Sequence, residues 1–276
     1  MPRPDAETLL RYYADTYFQE ESATFVASYS EAEHAYPQLG IDHLLYALDR
    51  AGASAGPEGN LLEVGCGEGF FLRTALERGW DAHGVEMGRY AVERFNPDVA
   101  PRVREADAVT ALEADHAAGM SYAVVVLAGV LEHVLDARLV LELVRLVLRP
   151  DGLLAVTVPN DDSLVQRRLQ ELGHADTRWF VPPEHLNYFN VDTGPAFARA
   201  VGFEVLDVYA DFPIDWFGFH PGSNYFADAA LGPAAHRARV ELEHLHASRG
   251  PEAKHPLAQG LAACGSGRAF TMLLRP

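Results

Sequence analysis

Leu61-Leu62-Glu63-Val64-Gly65-Cys66-Gly67-Glu68-Gly69 decides how this chain is read. Its first four residues read as a short buried strand that carries a carboxylate. Glycines at alternate positions then make a turn, and a helix starts at Phe70-Phe71-Leu72. Such a turn lets main-chain N–H groups approach a ligand closely, because glycine has no Cβ in the way. A dinucleotide fingerprint requires G-x-G-x-x-G, and Phe70 holds its last glycine position. The turn therefore suits a nucleoside with a small polar tail better than a pyrophosphate. Tight packing alone is the other explanation of a strand-to-helix turn of this kind.

Outward from this turn the alternation is regular. Strand 60–65 leads to a helix at 69–78, strand 81–86 to a helix near 88–95, and a short strand near 103–106 ends at Asp107. The apolar strand 122–128 precedes a helix at 136–149, and Asp151-Gly152 turns into strand 153–158, which Pro159-Asn160 ends. Strands alternating with helices imply a parallel sheet with right-handed crossovers. The expected class is α/β: a doubly wound, mostly parallel sheet with helices on both faces. Residues 1–50 read as an N-terminal helical cap rich in aromatics (Tyr12, Tyr13, Tyr17, Phe18, Phe25, Tyr29, Tyr36), either packed on the core or acting as a lid. Residues 51–276 read as the Rossmann-like domain, with insertions at 161–190 and 211–266 after its fifth and sixth strands. A long charged helix is expected over roughly 224–248, with Glu241, Glu243, His244 and His246 on a solvated face, and a last strand at 268–275.

Composition narrows the partners. A net charge of −17 argues against a nucleic-acid footprint, which needs a basic face, and Arg167-Arg168 is too little to supply one. Two cysteines, Cys66 and Cys264, make no disulfide framework. The start, Met1-Pro2-Arg3-Pro4-Asp5, lacks the apolar core of a signal peptide. The apolar run 139–148 is broken by Glu142 and Arg145, so no membrane span is expected. A cytoplasmic protein is the expectation. Lys254 is the only lysine, which fits genomic composition rather than function.

Polar groups fall at the carboxyl ends of the strands, where open α/β sheets bind ligands. Glu86 ends the second strand at the spacing of a ribose-binding carboxylate, with Met87 beside it to pack on a base. Asp107 ends the third strand and could equally cap the helix that follows.

Glu63-Val64-Gly65-Cys66-Gly67-Glu68-Gly69, with these later motifs in order, resembles the first motif of class I S-adenosylmethionine-dependent methyltransferases. Residues 60–210 carry the resemblance, to the broad group that includes the ubiquinone-pathway enzymes. It implies a seven-stranded sheet whose last strand is antiparallel and inserts beside the fifth. It also implies S-adenosylmethionine as cofactor and S-adenosylhomocysteine as product. The site it implies comprises Glu63, Gly65, Cys66, Gly67, Gly69, Glu86, Met87, Asp107, Ala108, Ala128 and Gly129. In it Asp107 takes the adenine amino group, and Ala128-Gly129 lines the methyl end.

The cofactor carries the difficult chemistry of methyl transfer; the protein aligns the acceptor and, for a hydroxyl, supplies a base. His133, in Leu131-Glu132-His133-Val134, and His185, in Pro183-Glu184-His185-Leu186, are the catalytic candidates. The Glu-His pair resembles a motif that in ubiquinone-pathway and small-RNA 2′-O-methyltransferases helps hold a divalent metal, together with a Glu three residues earlier. Gly129 stands at that earlier position. Glu132, His133 and His185 are one ligand short, so no metal is expected. The second insertion gathers Trp216, Phe217, Phe219, His220, Asn224 and Tyr225, as an acceptor surface or a homodimer face.

The resulting expectation is methyl transfer to a small-molecule acceptor, at a hydroxyl of a sugar or secondary metabolite. Nitrogen or carbon acceptors and a cofactor-binding pseudoenzyme or partner subunit are the alternatives. An NAD(P)-dependent oxidoreductase is disfavoured by the glycine spacing and by the lack of a Tyr-x-x-x-Lys.

Overall fold

The structure, a computed structural model, describes residues 31–176, 179–182 and 184–276. The sheet begins with β1 (Asn60–Val64), β2 (Asp81–Glu86) and β3 (Val103–Glu105), followed by α2 (Phe70–Glu77), α3 (Tyr90–Phe95) and α4 (Ala108–Ala117) in turn. β4 (Tyr122–Ala128), α5 (Ala137–Val147) and β5 (Leu148–Pro159) complete the parallel part. After α6 (Leu164–Glu171) and α7 (Thr193–Val201) come β6 (Glu204–Ala210), α8 (Gly232–Ala247), α9 (Pro251–Ala263) and β7 (Ala269–Arg275). The strand order is β3-β2-β1-β4-β5-β7-β6, and β7 is antiparallel to both of its neighbours. This is the seven-stranded sheet implied by the resemblance.

Burial explains the strands. Val124, Val125, Val126 and Leu127 of β4 are all buried, as expected of a strand covered on both faces. One apolar cluster lies on the α5 side, where Val140, Leu141, Val144 and Val147 form the helix stripe. The other lies under α1 (Glu31–Arg50) and α2 and includes Leu44, Leu48, Phe71 and Leu72. The last turns of the cap are thus part of the core. His43 of α1 bonds His255 of α9 at 2.9 Å, and His255 bonds Asp207 of β6 at 2.8 Å. Burial, with Lys254 nearby, pushes the His43 imidazole down to about 3, so it stays neutral. Tyr12, Tyr13, Tyr17, Phe18, Phe25 and Tyr29 lie outside the described residues. Tyr36 faces α8, with Arg239 4.8 Å from its ring centre.

One expectation is corrected. The helix expected over 224–248 starts only at Gly232, because polar side chains capture the main chain before it. Asn224 Oδ1 accepts from Phe226 N and Ala227 N, and Asp228 caps a short 3-10 turn, Ala229–Leu231. Side chains that bond nearby backbone compete with helix in this way. Nor is its charged face wholly solvated. Glu243 is buried, accepts from Phe212 N, and pairs with Lys254. The single lysine therefore neutralises a buried carboxylate. α9 went unforeseen because its glycine, alanines and two prolines give little apolar periodicity.

Candidate active site

β1 is flanked by β2 and β4, and the chain leaves it in opposite directions along the sheet. The carboxyl ends of β1 and β4 therefore frame the crevice of the topological switch point. The turn beyond β1 is tied down by Gly65 N and Cys66 N, which both donate to Val85 O. Gly65, Gly67 and Gly69 have φ of 74°, 51° and 79°, in the left-handed region that side chains avoid. A Cβ at Gly65 would lie 2.5 Å from Val130 Cγ2, and one at Gly69 would lie 2.9 Å from Val92 Cγ2. At Gly67 it would meet nothing within 4 Å. Packing therefore requires two of the glycines, and the third faces open space.

Two carboxylates flank that space. Glu86 Oε2 accepts from Gly67 N and Oε1 from Met87 N, both at 2.8 Å. Burial raises the Glu86 pKa, and these two N–H groups oppose the rise. Each oxygen retains a further lone pair, enough to receive two ribose hydroxyls. Glu63 is buried, its Oε2 has no partner, and burial followed by the Glu86 charge raises its pKa well above the ordinary value. Burial also pushes the Cys66 thiol up, so it stays protonated and packs rather than reacts. Asp107 is an N-cap: Oδ1 accepts from Val109 N and Thr110 N, and Thr110 Oγ1 donates to Oδ2. Ala108 opens α4 behind it. An unsatisfied buried oxygen, an open glycine face and spare carboxylate lone pairs suit a nucleoside bearing an amino acid tail.

Ala128 and Gly129 are exposed at the end of β4. Just beyond them the second half of the site begins. Glu132 and His133 are gripped by the loop around residues 184–187: Leu186 N and Asn187 N donate to Glu132 O, and Asn187 Nδ2 donates to Leu131 O and Val134 O. His133 Nδ1 donates to Glu184 O at 2.8 Å, since a carbonyl can only accept. Burial lowers the His133 pKa to about 4, so the ring is neutral. The His133 and His185 rings meet edge-on at 4.9 Å. Burial raises Glu132 to about 7, although main-chain bonding and the neighbouring His185 oppose this, and Asp161 adds to it. Glu132, His133 and His185 thus come together, with ligand atoms within 4.8 Å of one another.

That set does not fit the divalent cation of the resemblance. One carboxylate and two imidazoles offer mostly nitrogen, whereas Mg²⁺ takes oxygen. The missing carboxylate position, Gly129, lies beside the set, since a Cβ there would stand 3.9 Å from Glu132 Oε1.

Sequence reasoning missed Asp161. It lies two residues beyond the end of β5, is buried, and stands 3.8 Å from His185 Nδ1 through Oδ2 and 3.4 Å from Arg268 Nη1 through Oδ1. Its signal was its place: the carboxyl end of a central strand. In the second insertion, Asn224 and Tyr225 are structural, the Tyr225 hydroxyl donating to Asp215 at 2.7 Å. Trp216 and Phe219 stay exposed.

A family model described as a methyltransferase domain matches residues 38–208, more than half of the chain. The chain belongs to the methyltransferase-domain family. It is an S-adenosylmethionine-dependent methyltransferase of class I, and the oxidoreductase reading falls. Among solved structures the fold recurs in a SAM-dependent methyltransferase from Archaeoglobus fulgidus, at 14% identity and TM-score 0.54, over 88% of this chain and 97% of that one. It recurs in the cyclopropane synthase MmaA2 of Mycobacterium tuberculosis, at 17% identity and TM-score 0.52, over 98% of this chain and 94% of that one. It is also similar to the [4+2]-cyclase SpnF, at 19% identity and TM-score 0.50, over 85% and 80% of the two chains. No curated protein matches the methyltransferase. Among its described residues no helix is long and apolar enough to cross a membrane.

Proposed function

We propose that this methyltransferase acts on a hydroxyl oxygen of a small molecule, a sugar or secondary metabolite, with His185 as the base. The observation that carries this reading is the buried polar cluster just past Gly129, where His185 has an unpartnered Nδ1 and a partly accessible ring. When bound, S-adenosylmethionine supplies a methyl group on a sulfonium, whose C–S bond breaks as the C–O bond to the acceptor forms, leaving S-adenosylhomocysteine. Glu86 and Gly67 hold the ribose, and Glu63 and the glycine turn seat the amino acid tail. The Ala128-Gly129 edge leaves room for the acceptor, and the hydroxyl proton passes to His185. His133 is neutral and bound to Glu184 O, which suits it to orienting the acceptor. Metal plays no part in this reading.

In this reading the acceptor is diffusible and cytoplasmic, with no membrane partner, and the net charge of −17 argues against a nucleic-acid partner. The exposed Trp216 and Phe219 suit an acceptor platform or a homodimer face. The test is incubation with deuterated-methyl S-adenosylmethionine and pools of metabolites and nucleotide sugars, with and without chelator, followed by mass spectrometry. A labelled ether in both arms supports the reading. Label on nitrogen or carbon, or label lost with chelator, replaces it. No label despite tight S-adenosylhomocysteine binding favours a pseudoenzyme or partner subunit. A fold that also houses a [4+2]-cyclase permits that outcome.

A further inference from the structure

We propose that Asp161 is the positioning residue of this site: its Oδ2 receives the Nδ1–H of His185, which presents the Nε2 lone pair to the acceptor hydroxyl. The inference rests on the reading of His185 as the base.

Three buried atoms at the cluster lack a partner: Glu132 Oε2, Asp161 Oδ2 and His185 Nδ1. Orphaned buried polar atoms are rare in native proteins and each calls for an explanation. Two of these face each other at 3.8 Å. A neutral imidazole has one N–H and one lone pair, so a single contraction of about 1 Å satisfies both atoms at once. Catalytic hydrogen bonds are commonly long in the free enzyme and tighten when substrate binds.

The surroundings restrict where each partner can go. Asp161 N donates to Phe189 O at 2.8 Å, and Arg268 Nη1 donates to its other oxygen. Before it, Asn160 is fully buried and bonds Gly267 O and Val191 N. After it, Asp162 is the one non-glycine residue in the left-handed region among the described residues, at φ 51°. Strained turns of this kind cluster where a side chain must be aimed. His185 is held by its own N–H to Val181 O and by the Tyr188 hydroxyl to its carbonyl, both at 3.1 Å. The charged or titratable groups around the ring are Asp161, Glu132, His133 and Tyr188, with Arg268 behind Asp161. Of these, Asp161 is the one with an unpartnered carboxylate oxygen within 4 Å of His185 Nδ1, at 3.8 Å. A carboxylate in this place fixes the tautomer of the base and stabilises the imidazolium it becomes.

The experiment is a long-range ¹H–¹⁵N correlation spectrum of the full chain, histidine-labelled, saturated with S-adenosylhomocysteine at pH 8 in EDTA. His185→Gln assigns the ring. The expected native pattern is a pyrrole-type Nδ1 and a pyridine-type Nε2. In Asp161→Asn the balance moves toward the Nε2–H form, while calorimetric affinity for S-adenosylhomocysteine stays within about twofold, as for a residue outside cofactor binding. A native Nε2–H tautomer, or an unchanged pattern in the variant, overturns the proposal, and the native spectrum decides even if the variant does not fold. A His185 Nδ1–H signal that disappears when EDTA is replaced by Zn²⁺ at protein concentration also overturns it, by showing a cation in place of that proton. The expected tautomer together with full turnover in His185→Gln instead removes the base reading and leaves the hydrogen bond standing.

Discussion

The glycine-turn side of the crevice is made from main chain and carboxylates supplied by one continuous stretch, from β1 to the turn after β2, whereas the polar cluster beyond Gly129 draws Glu132, Asp161, His185 and Arg268 from four separate segments. In the crevice the glycines bend the chain, Gly67 N and Met87 N each take one lone pair of a Glu86 oxygen, and one buried oxygen, Glu63 Oε2, lacks a partner. In the cluster the side chains meet through tertiary contact and leave three buried atoms unpartnered. Each unpartnered buried atom costs roughly 1–3 kcal/mol of stability, so the cluster holds open more polar capacity than the crevice.

The comparison breaks most sharply at His185. Alanine there should cut turnover by about 10²-fold or more, the ordinary contribution of a positioned base, with cofactor affinity unchanged. Steady-state kinetics and calorimetry check this, and full activity would end the base assignment.

Glu132→Gln tests the cluster through stability. Folding raises Glu132 from its unfolded value of about 4.3 to about 7, mainly through burial. The raised value means that its contribution is complete below the unfolded value and is lost as pH rises through about 7. The loss is at most about 4 kcal/mol. Urea titrations across that window should show a smaller decline in the glutamine variant than in the native protein. Parallel curves would show that Glu132 ionises in the fold without cost.

On the cofactor side, Glu86→Ala should weaken S-adenosylhomocysteine binding more than about tenfold, as when charge-assisted hydrogen bonds of roughly 1.5–3 kcal/mol are lost. Unchanged affinity would remove the ribose assignment. The smallest effect is expected at Asp107. Alanine costs about 1 kcal/mol by uncapping α4, and serine restores most of that. If serine also keeps native cofactor affinity, Asp107 is a cap and nothing more.

The positions of the glycine turn, Glu63, Glu86 and Asp107 at strand ends were legible because strand, turn and helix obey local rules, and their spacing survives in one dimension. His133 and His185 were legible as candidates, but their contact was not. It depends on Asn187 bonding two carbonyls of the Leu131–Val134 turn. Asp161 stood beside a strand end that had been noted, yet its partner lies on a loop far along the chain. The charged helix was overextended because capping by Asn224 and Asp228 outweighed the helical pattern.

What the sequence by itself determined is the doubly wound sheet and its cofactor turn, since hydrophobic period, glycine placement and strand-end carboxylates act over a few residues. Tertiary structure alone decided which polar side chains share the cluster beyond Gly129, that Lys254 neutralises Glu243, and that Asp161 faces His185. Those pairings depend on which distant segments the packed core brings to one edge of the sheet, and no local propensity encodes that distance.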